Sequence, residues 1–485
     1  MIATEGFAIE TRAVRKDGSV KLAVVALILL ISASAFAQDV PATVPQDQTT
    51  TPQVQTTAPQ DQAAPQPYGG PSLLGRGDNP SVLHGTDLPP IRPYLGVTGA
   101  YNTNNELGYL GGTSLGPAHG VVGNYGLSGV QEWSHTELDL DFHGFYRYYV
   151  PTRDQNGFDN SLALTLKHQL SPHLSITLTE NLSDVRSFYA LPFGTLYGSG
   201  ESGGYNPLYN TISGSGLDST PTLASVGGAR MTYQMSARLS FSAGGSGIIS
   251  RQKLPQGTVG SDGWVANGDI AYRLTRYQTI SAGYSFTHFS YTGQFGTTDL
   301  HALNLSYAVR IGRAWEFSLT GGVSRSEILG EVLDPFLAEL LGVPAVLVKQ
   351  YNVSYAPNVS VLLTRSFHHS IWSATYDHLV LGAGGLYGVS TDDHAGSLYT
   401  YSGVRHVDLN IGCGYYRYVP FQHAIAGHHA LSASTGFGVH LGMGFSWIGR
   451  VDWRDYVFTN GQRRNTYYAT LGIAWRPGRG PVSPW

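Results

Sequence analysis

From about Pro93 onward, apolar and polar residues alternate along segments of about 10–15 residues, a period of two that belongs to β-strands. In the segment Tyr277 to Tyr291, Ile280, Ala282, Tyr284 and Phe286 share one face against Thr279, Ser281, Gly283, Ser285 and Thr287. Leu303, Leu305, Tyr307 and Val309 alternate with Asn304, Ser306, Ala308 and Arg310, and Leu174, Ile176 and Leu178 with Ser175, Thr177 and Thr179. Such segments exceed the usual soluble strand of about 5–6 residues and are long enough for a tilted strand to cross a bilayer. Along Thr136 to Tyr148, Leu138, Leu140, Phe142, Tyr146 and Tyr148 share one face, while Glu137, Asp139, Asp141, His143 and Arg147 share the other. Charges at that density need water, which a wide lumen supplies, and a bilayer requires every backbone group to be paired, which closure provides. The expected fold is all-β, a transmembrane antiparallel up-and-down barrel.

A loosely repeated turn joins the segments. It runs through Lys167 to Leu174, Thr232 to Leu239, Ala271 to Tyr277 and Ala308 to Trp315, with weaker versions near Ser134, Arg365-Ser366, Gly403-Val404-Arg405 and His440-Leu441-Gly442. The opposite connections, Ser187 to Thr222 and Glu327 to Lys349, are long and variable. Short turns on one side and long loops on the other predict about 18 strands (about 16 with one hairpin miscounted), with both ends in the periplasm. Aromatic residues near the strand ends fit two interfacial girdles: Tyr146, Tyr148 and Tyr149; Tyr415, Tyr416 and Tyr418; Trp447, Trp453 and Tyr456; Tyr467, Tyr468 and Trp475.

Ahead of the strands, Arg12, Arg15, Lys16 and Lys21 precede the apolar run Leu22 to Ile31 and then Ala35-Phe36-Ala37, the three-part pattern of a signal peptide cleaved after Ala37. Gln38 to Arg92 is dominated by Gln, Pro, Thr and Ala and has too little apolar surface to offset the entropy of ordering, so a disordered periplasmic linker is expected. The barrel would then occupy 93–475 and a periplasmic tail 476–485, where Pro477, Pro481 and Pro484 preclude a regular strand.

Little of the sequence points to bond-making chemistry. One cysteine, Cys413, allows neither a disulfide framework nor a cysteine metal site, and a net charge of -4 gives no support to a nucleic-acid partner. Among 17 histidines, His368-His369 and His423 with His428-His429 invite a metal reading, but neighbours on a strand point to opposite faces and no acid clusters with them. Ser134-His135-Thr136-Glu137 reads as turn and lumen wall, and the Gly-rich stretches lack the Lys and helix of a phosphate loop. No enzyme, metal or cofactor is therefore expected.

Two loops carry more. Ser187 to Thr222 presents Tyr189, Tyr197, Tyr205 and Tyr209 among Gly and Ser, suited to narrowing the lumen or stacking on sugar rings. In Glu327 to Lys349, Leu329, Val332, Leu333, Phe336, Leu337, Leu340 and Leu341 recur at helical spacing, predicting an amphipathic helix interrupted at Pro335.

The turns, the segments Gly384-Gly385-Leu386-Tyr387 and Tyr399-Thr400-Tyr401-Ser402-Gly403, and the ending Arg464 to Trp475 resemble poorly characterised bacterial outer-membrane β-barrel proteins. Some of those relatives are associated with exopolysaccharide export, and the resemblance implies fold and location, with no catalytic residues to carry over. The sequence thus points to the outer membrane of a Gram-negative cell, with outer-membrane lipid and lipopolysaccharide as surroundings and small solutes or polysaccharide as candidate partners. A porin-like passive channel is the leading reading, with Glu137, Asp139, Asp141, His143, Arg147, Asn304 and Arg310 lining the lumen. A component of exopolysaccharide export and a plugged barrel that presents surface loops are the alternatives. Solute and oligomeric state leave no signature in the sequence.

Overall fold

A computed structural model describes residues 91–477, apart from 104–116, 151–155, 186–221, 255–256, 292–295, 313, 334–346, 382–388, 405, 422–426, 459–460 and 462. The readings made for the signal peptide and the linker lie outside these residues. The described chain is a succession of strands with no helix among them. β1 is Arg92–Asn102, β2 Ala118–Glu132, β3 Thr136–Val150, β4 Gly157–Ser171, β5 Leu174–Val185 and β6 Thr222–Gln234. β7 is Leu239–Leu254, β8 Gly257–Thr275, β9 Gln278–Tyr291, β10 Thr297–Ile311, β11 Trp315–Leu333 and β12 Leu347–Ser366. β13 is Ser370–Leu381, β14 Ser390–Val404, β15 Val407–Pro420, β16 His428–Gly442, β17 Phe445–Phe458 and β18 Arg463–Trp475.

Each strand pairs antiparallel with its sequence neighbour, and the 18-stranded sheet closes where Leu95 meets Trp475 and Asn102 meets Tyr468. Closure leaves no open edge strand, which is what a hydrocarbon environment demands of a sheet, although β12 extends beyond β13 and pairs with it only over Val359 to Ser366. Strands run from 11 residues in β1 to 20 in β12. Tight turns join β2 to β3, β4 to β5 and so on to β16 and β17, all at the end that also carries Arg92 and Trp475. In the last of these, Gly442 (φ 99), Met443 (φ 53) and Gly444 (φ 83) occupy the left-handed region in succession, which two glycines make cheap. Short turns and termini mark the periplasmic end of such barrels, so the opposite end is the outer one. Connections there are not uniformly long: β7 and β8 remain paired up to Leu254 and Gly257.

Side-chain parity separates two surfaces. Leu95, Val97, Leu178, Leu303, Leu305, Leu471 and Ile473 are exposed on the outside, while Thr98, Asn124, Ser242, Asn304, Ser306 and Thr320 are buried on the inside. An apolar exterior over a polar interior reverses a soluble protein and defines an outer-membrane barrel. At the periplasmic rim the Arg365 guanidinium lies 4.7 Å above the Trp315 ring and 4.4 Å above that of Phe367, joining cation and aromatic at the interface.

Two polar exceptions on the outer face have partners. The Tyr125 hydroxyl donates to Asn160 Oδ1 at 2.7 Å across the bare backbone of Gly144. Glu180, flanked by Leu178 and Leu182, accepts a hydrogen bond from Ser225 at 2.9 Å. A Cβ at Gly227 would lie 2.3 Å from its Oε2, so the glycine makes room for this carboxylate.

The helix predicted within Glu327 to Lys349 is corrected: Glu327 to Leu333 continue β11, Leu347 to Lys349 begin β12, and the two pair as far as Leu333 and Leu347. Leu329 is exposed outside and Ile328 buried inside, so strand alternation places apolar residues on both faces and imitates helical spacing. Residues 334–346 of that prediction lie outside the described residues.

Candidate permeation lumen

β3 presents Glu137, Asp139, Asp141, His143, Phe145, Arg147 and Tyr149 on its inner parity, with Leu138, Leu140, Phe142, Tyr146 and Tyr148 outside. Across the β3–β4 ladder Glu137 faces Lys167, Asp139 faces Thr165 and Asp141 faces Ala163. His143 Nδ1 lies 3.4 Å from Asp141 Oδ1. Near the outer end of the same strand Arg147 Nη2 meets Asp159 Oδ2 at 2.5 Å, with side-chain exposures of 6% and 1%. On β10, Asn304 Oδ1 accepts from Asn358 Nδ2 at 3.5 Å, and Asn358 also donates to Ser324. Arg310 Nε donates to Glu316 Oε1 at 2.8 Å near the periplasmic end. The seven candidate lumen residues thus share the inner parity but fall on β3 and β10, separated around the wall.

Other charged groups on this wall were not singled out from sequence. Arg230 on β6 reaches across β7 to pair with Asp269 on β8, and between them lies Gly244, whose Cβ would come 3.0 Å from Asn267 Oδ1. On β17 Arg450 Nε meets Asp452 Oδ2 at 2.7 Å, with Arg454 buried two residues on. Asp392, buried on β14, accepts from Ser390 and from the Tyr416 hydroxyl, both at 2.9 Å. His440 bridges Asp408 at 2.8 Å and Ser446 at 2.9 Å. The alternation of Arg450, Asp452 and Arg454 with Val451 and Trp453 is a sequence signal for the β17 set. Partners such as Asp159 and Asp269 depend on register, which no local pattern announces.

The wall has two tiers. Toward the outer ends its side chains are buried and include apolar clusters, one of Val226, Ile248, Val265, Phe289 and Tyr291 and another of Ala100, Ala118, Val122, Tyr149 and Tyr468. Toward the periplasmic ends Asp139, Lys167, Gln169, Glu316, Leu362 and Leu398 are exposed on the same inner face, while the shorter Ala271, Ala308, Thr364 and Ser446, and Ile448 against Ala474, are buried beside them. The aromatic girdle read from sequence is accordingly corrected. Tyr149, Tyr416, Tyr418, Tyr456 and Tyr468 have inner parity, because one of every two adjacent residues on a strand must turn inward. Tyr146, Tyr148, Tyr415, Trp447, Trp453, Tyr467 and Trp475 keep outer parity.

Tyr189, Tyr197, Tyr205 and Tyr209 lie outside the described residues, as does His423. His368 and His369 are not strand neighbours on opposite faces; they form a turn, with ring centroids 4.1 Å apart. His428 and His429 do divide between the inner and outer faces. Among the described residues no three His, Cys, Asp or Glu side chains gather closely enough to hold a metal.

No protein-family model matches the chain. No curated protein matches it either. Among solved structures it is similar to Pseudomonas aeruginosa OccK2 (OpdF) in complex with glucuronate, at 11% identity and a TM-score of 0.40, over 80% of this chain and 98% of that one. It is similar over the same shares to a BenF-like porin from Pseudomonas fluorescens Pf-5, at 11% identity and a TM-score of 0.41. Pseudomonas aeruginosa OpdK with vanillate gives 11% and 0.38, again over 80% and 98%. Likeness of this size assigns neither family nor solute to this chain.

Proposed function

We propose that the barrel is a passive, porin-like channel for small hydrophilic solutes across the outer membrane. The observation that carries this reading is the inner wall, which beside its apolar clusters near the outer ends carries the hydroxyls, amides and ion pairs that a closed apolar core would not hold. Solutes would move by diffusion through water, with no covalent step. Glu137, Asp139, Asp141, His143, Arg147, Asn304 and Arg310 would contribute to selectivity, alongside Arg230, Asp269, Arg450 and Asp452. Planar-bilayer recording with the folded full chain tests this: discrete, ohmic conductance steps are expected, and well-folded protein that never conducts would overturn it.

A saccharide path, including a part in exopolysaccharide export or attachment, is the second reading. It is favoured by inner-face aromatic rings near the outer ends, where Tyr416 and Phe458 lie 5.7 and 5.9 Å from His428, a grouping on which sugar rings can stack. Oligosaccharides would then block the current at concentrations where charged small solutes do not, and deleting the gene would lower exopolysaccharide output.

A further inference from the structure

The outer face carries a row of charged and imidazole side chains along one side of the barrel. Through the ladders His378 stands beside Asp393, Asp393 beside Arg417, Arg417 beside His429, and His429 is separated from Arg463 by Val457. All have outer parity, and each lies close to the outer end of its strand. One step nearer the membrane centre come Tyr376, Tyr415, Trp453 and Tyr467 on the same face, as an interfacial belt would.

Within this row the acids are covered and the cations are not. Asp393 is 17% exposed beneath Arg417 at 56%, with 3.7 Å between Nη1 and Oδ2. Asp455 is 6% exposed against Arg463 at 69%, which binds it through Nε at 2.9 Å and Nη2 at 2.7 Å. Asp455 fixes the Arg463 guanidinium through those bonds, whereas Asp393, 2.5 Å from His378 Nδ1, stands only at ion-pair distance from Arg417; in both pairs the guanidinium is the more exposed partner, so this side presents cationic donors outward. The opposite side does not: on β7 and β8 Asp262 is 54% exposed and its partner Arg251 only 32%.

We propose that Arg417 and Arg463, the exposed partners of Asp393 and Asp455, form a binding site for the phosphate groups of lipopolysaccharide, with its acyl chains against the aromatic belt below. A guanidinium matches phosphate with two parallel hydrogen bonds, and its height above the belt is that of a headgroup. Asp455 holds Arg463 in place through two hydrogen bonds, which lowers the ordering cost of capturing a headgroup phosphate there.

The test uses the full chain, refolded in detergent, with lipopolysaccharide retention measured by native mass spectrometry. In R417Q/R463Q, retention is expected to fall by about fivefold per arginine. R417K/R463K, which keeps the charges without the paired donors, should restore only part of it, and R251Q on the opposite side should leave it unchanged. Enzymatically dephosphorylated lipopolysaccharide should bind the parent protein as weakly as the intact lipid binds R417Q/R463Q. Equal retention by parent and R417Q/R463Q, or by intact and dephosphorylated lipid, would overturn the proposal. So would inorganic phosphate that binds the parent as well as the lipid does, since the site would then be one for a free anion.

Discussion

The two tiers of the inner wall use the same residue types to different ends. In the outer tier Arg147 and Asp159 lie 2.5 Å apart with almost no exposure, and Asp392 is enclosed by Ser390 and Tyr416. In the periplasmic tier Arg310 and Glu316 make an equally direct pair that stays wet, and Glu137 and Asp139 stand on the same strand as Arg147 but near its other end. Charges taken out of water must be matched at contact distance, whereas charges left in water need no such match and act through their field. The outer tier is therefore built from matched pairs and apolar clusters withdrawn from water, and the charges of the periplasmic tier stay in it.

The largest effect should come from breaking a pair in the outer tier. Asp159→Ala leaves the Arg147 guanidinium buried without its anion and should cost about 3–5 kcal/mol of stability. Urea unfolding of the refolded barrel, followed by tryptophan fluorescence, would measure it. A loss below about 1 kcal/mol, the range of solvent-exposed pairs, would mean that water reaches this pair and that the tiers do not differ.

The two tiers were unequally legible in the sequence. Period two revealed the strands, their turns and the inner parity of Glu137 to Arg147, because that pattern is local and survives without any knowledge of partners. It could not reveal that Arg147 is buried and Lys167 exposed, since exposure depends on which side chains of neighbouring strands meet at each height. Nor could it identify Asp269 as the partner of Arg230, which follows from the register of β6, β7 and β8. The failed helix in Glu327 to Leu333 has a related cause. Where a barrel wall carries apolar residues on its inner face as well as its outer one, as at Ile328 and Leu329, the period-two signal dissolves into one that a helix can share.

In the periplasmic tier, on the reading of the barrel as a channel, the expected response is in selectivity, with folding intact. The triple variant E137Q/D139N/D141N removes three carboxylates from one strip of wall. The cation-to-anion permeability ratio should fall by about fivefold, the equivalent of about 1 kcal/mol of Coulomb attraction in a watery lumen. Reversal potentials in a salt gradient give the ratio directly. A shift of the same size from Asp159→Ala, with no change in unfolding, would exchange the roles of the two tiers.

The smallest effect separates hydration from pairing as the cause. Arg310 bonds Glu316 at 2.8 Å, as close as many buried pairs, yet both side chains are substantially exposed. If distance decided, Arg310→Ala would cost as much as the loss of Asp159. Because water competes for both partners and the two long side chains lose rotamer freedom on pairing, the expected cost is about 0–1 kcal/mol. It should shrink further when the ionic strength is raised from 0.1 M to about 1 M, where the screening length falls to about 3 Å. The outer-tier cost should persist in the same salt, so unfolding curves for the two variants at both salt concentrations distinguish a wet pair from a dry one even where their geometry is the same.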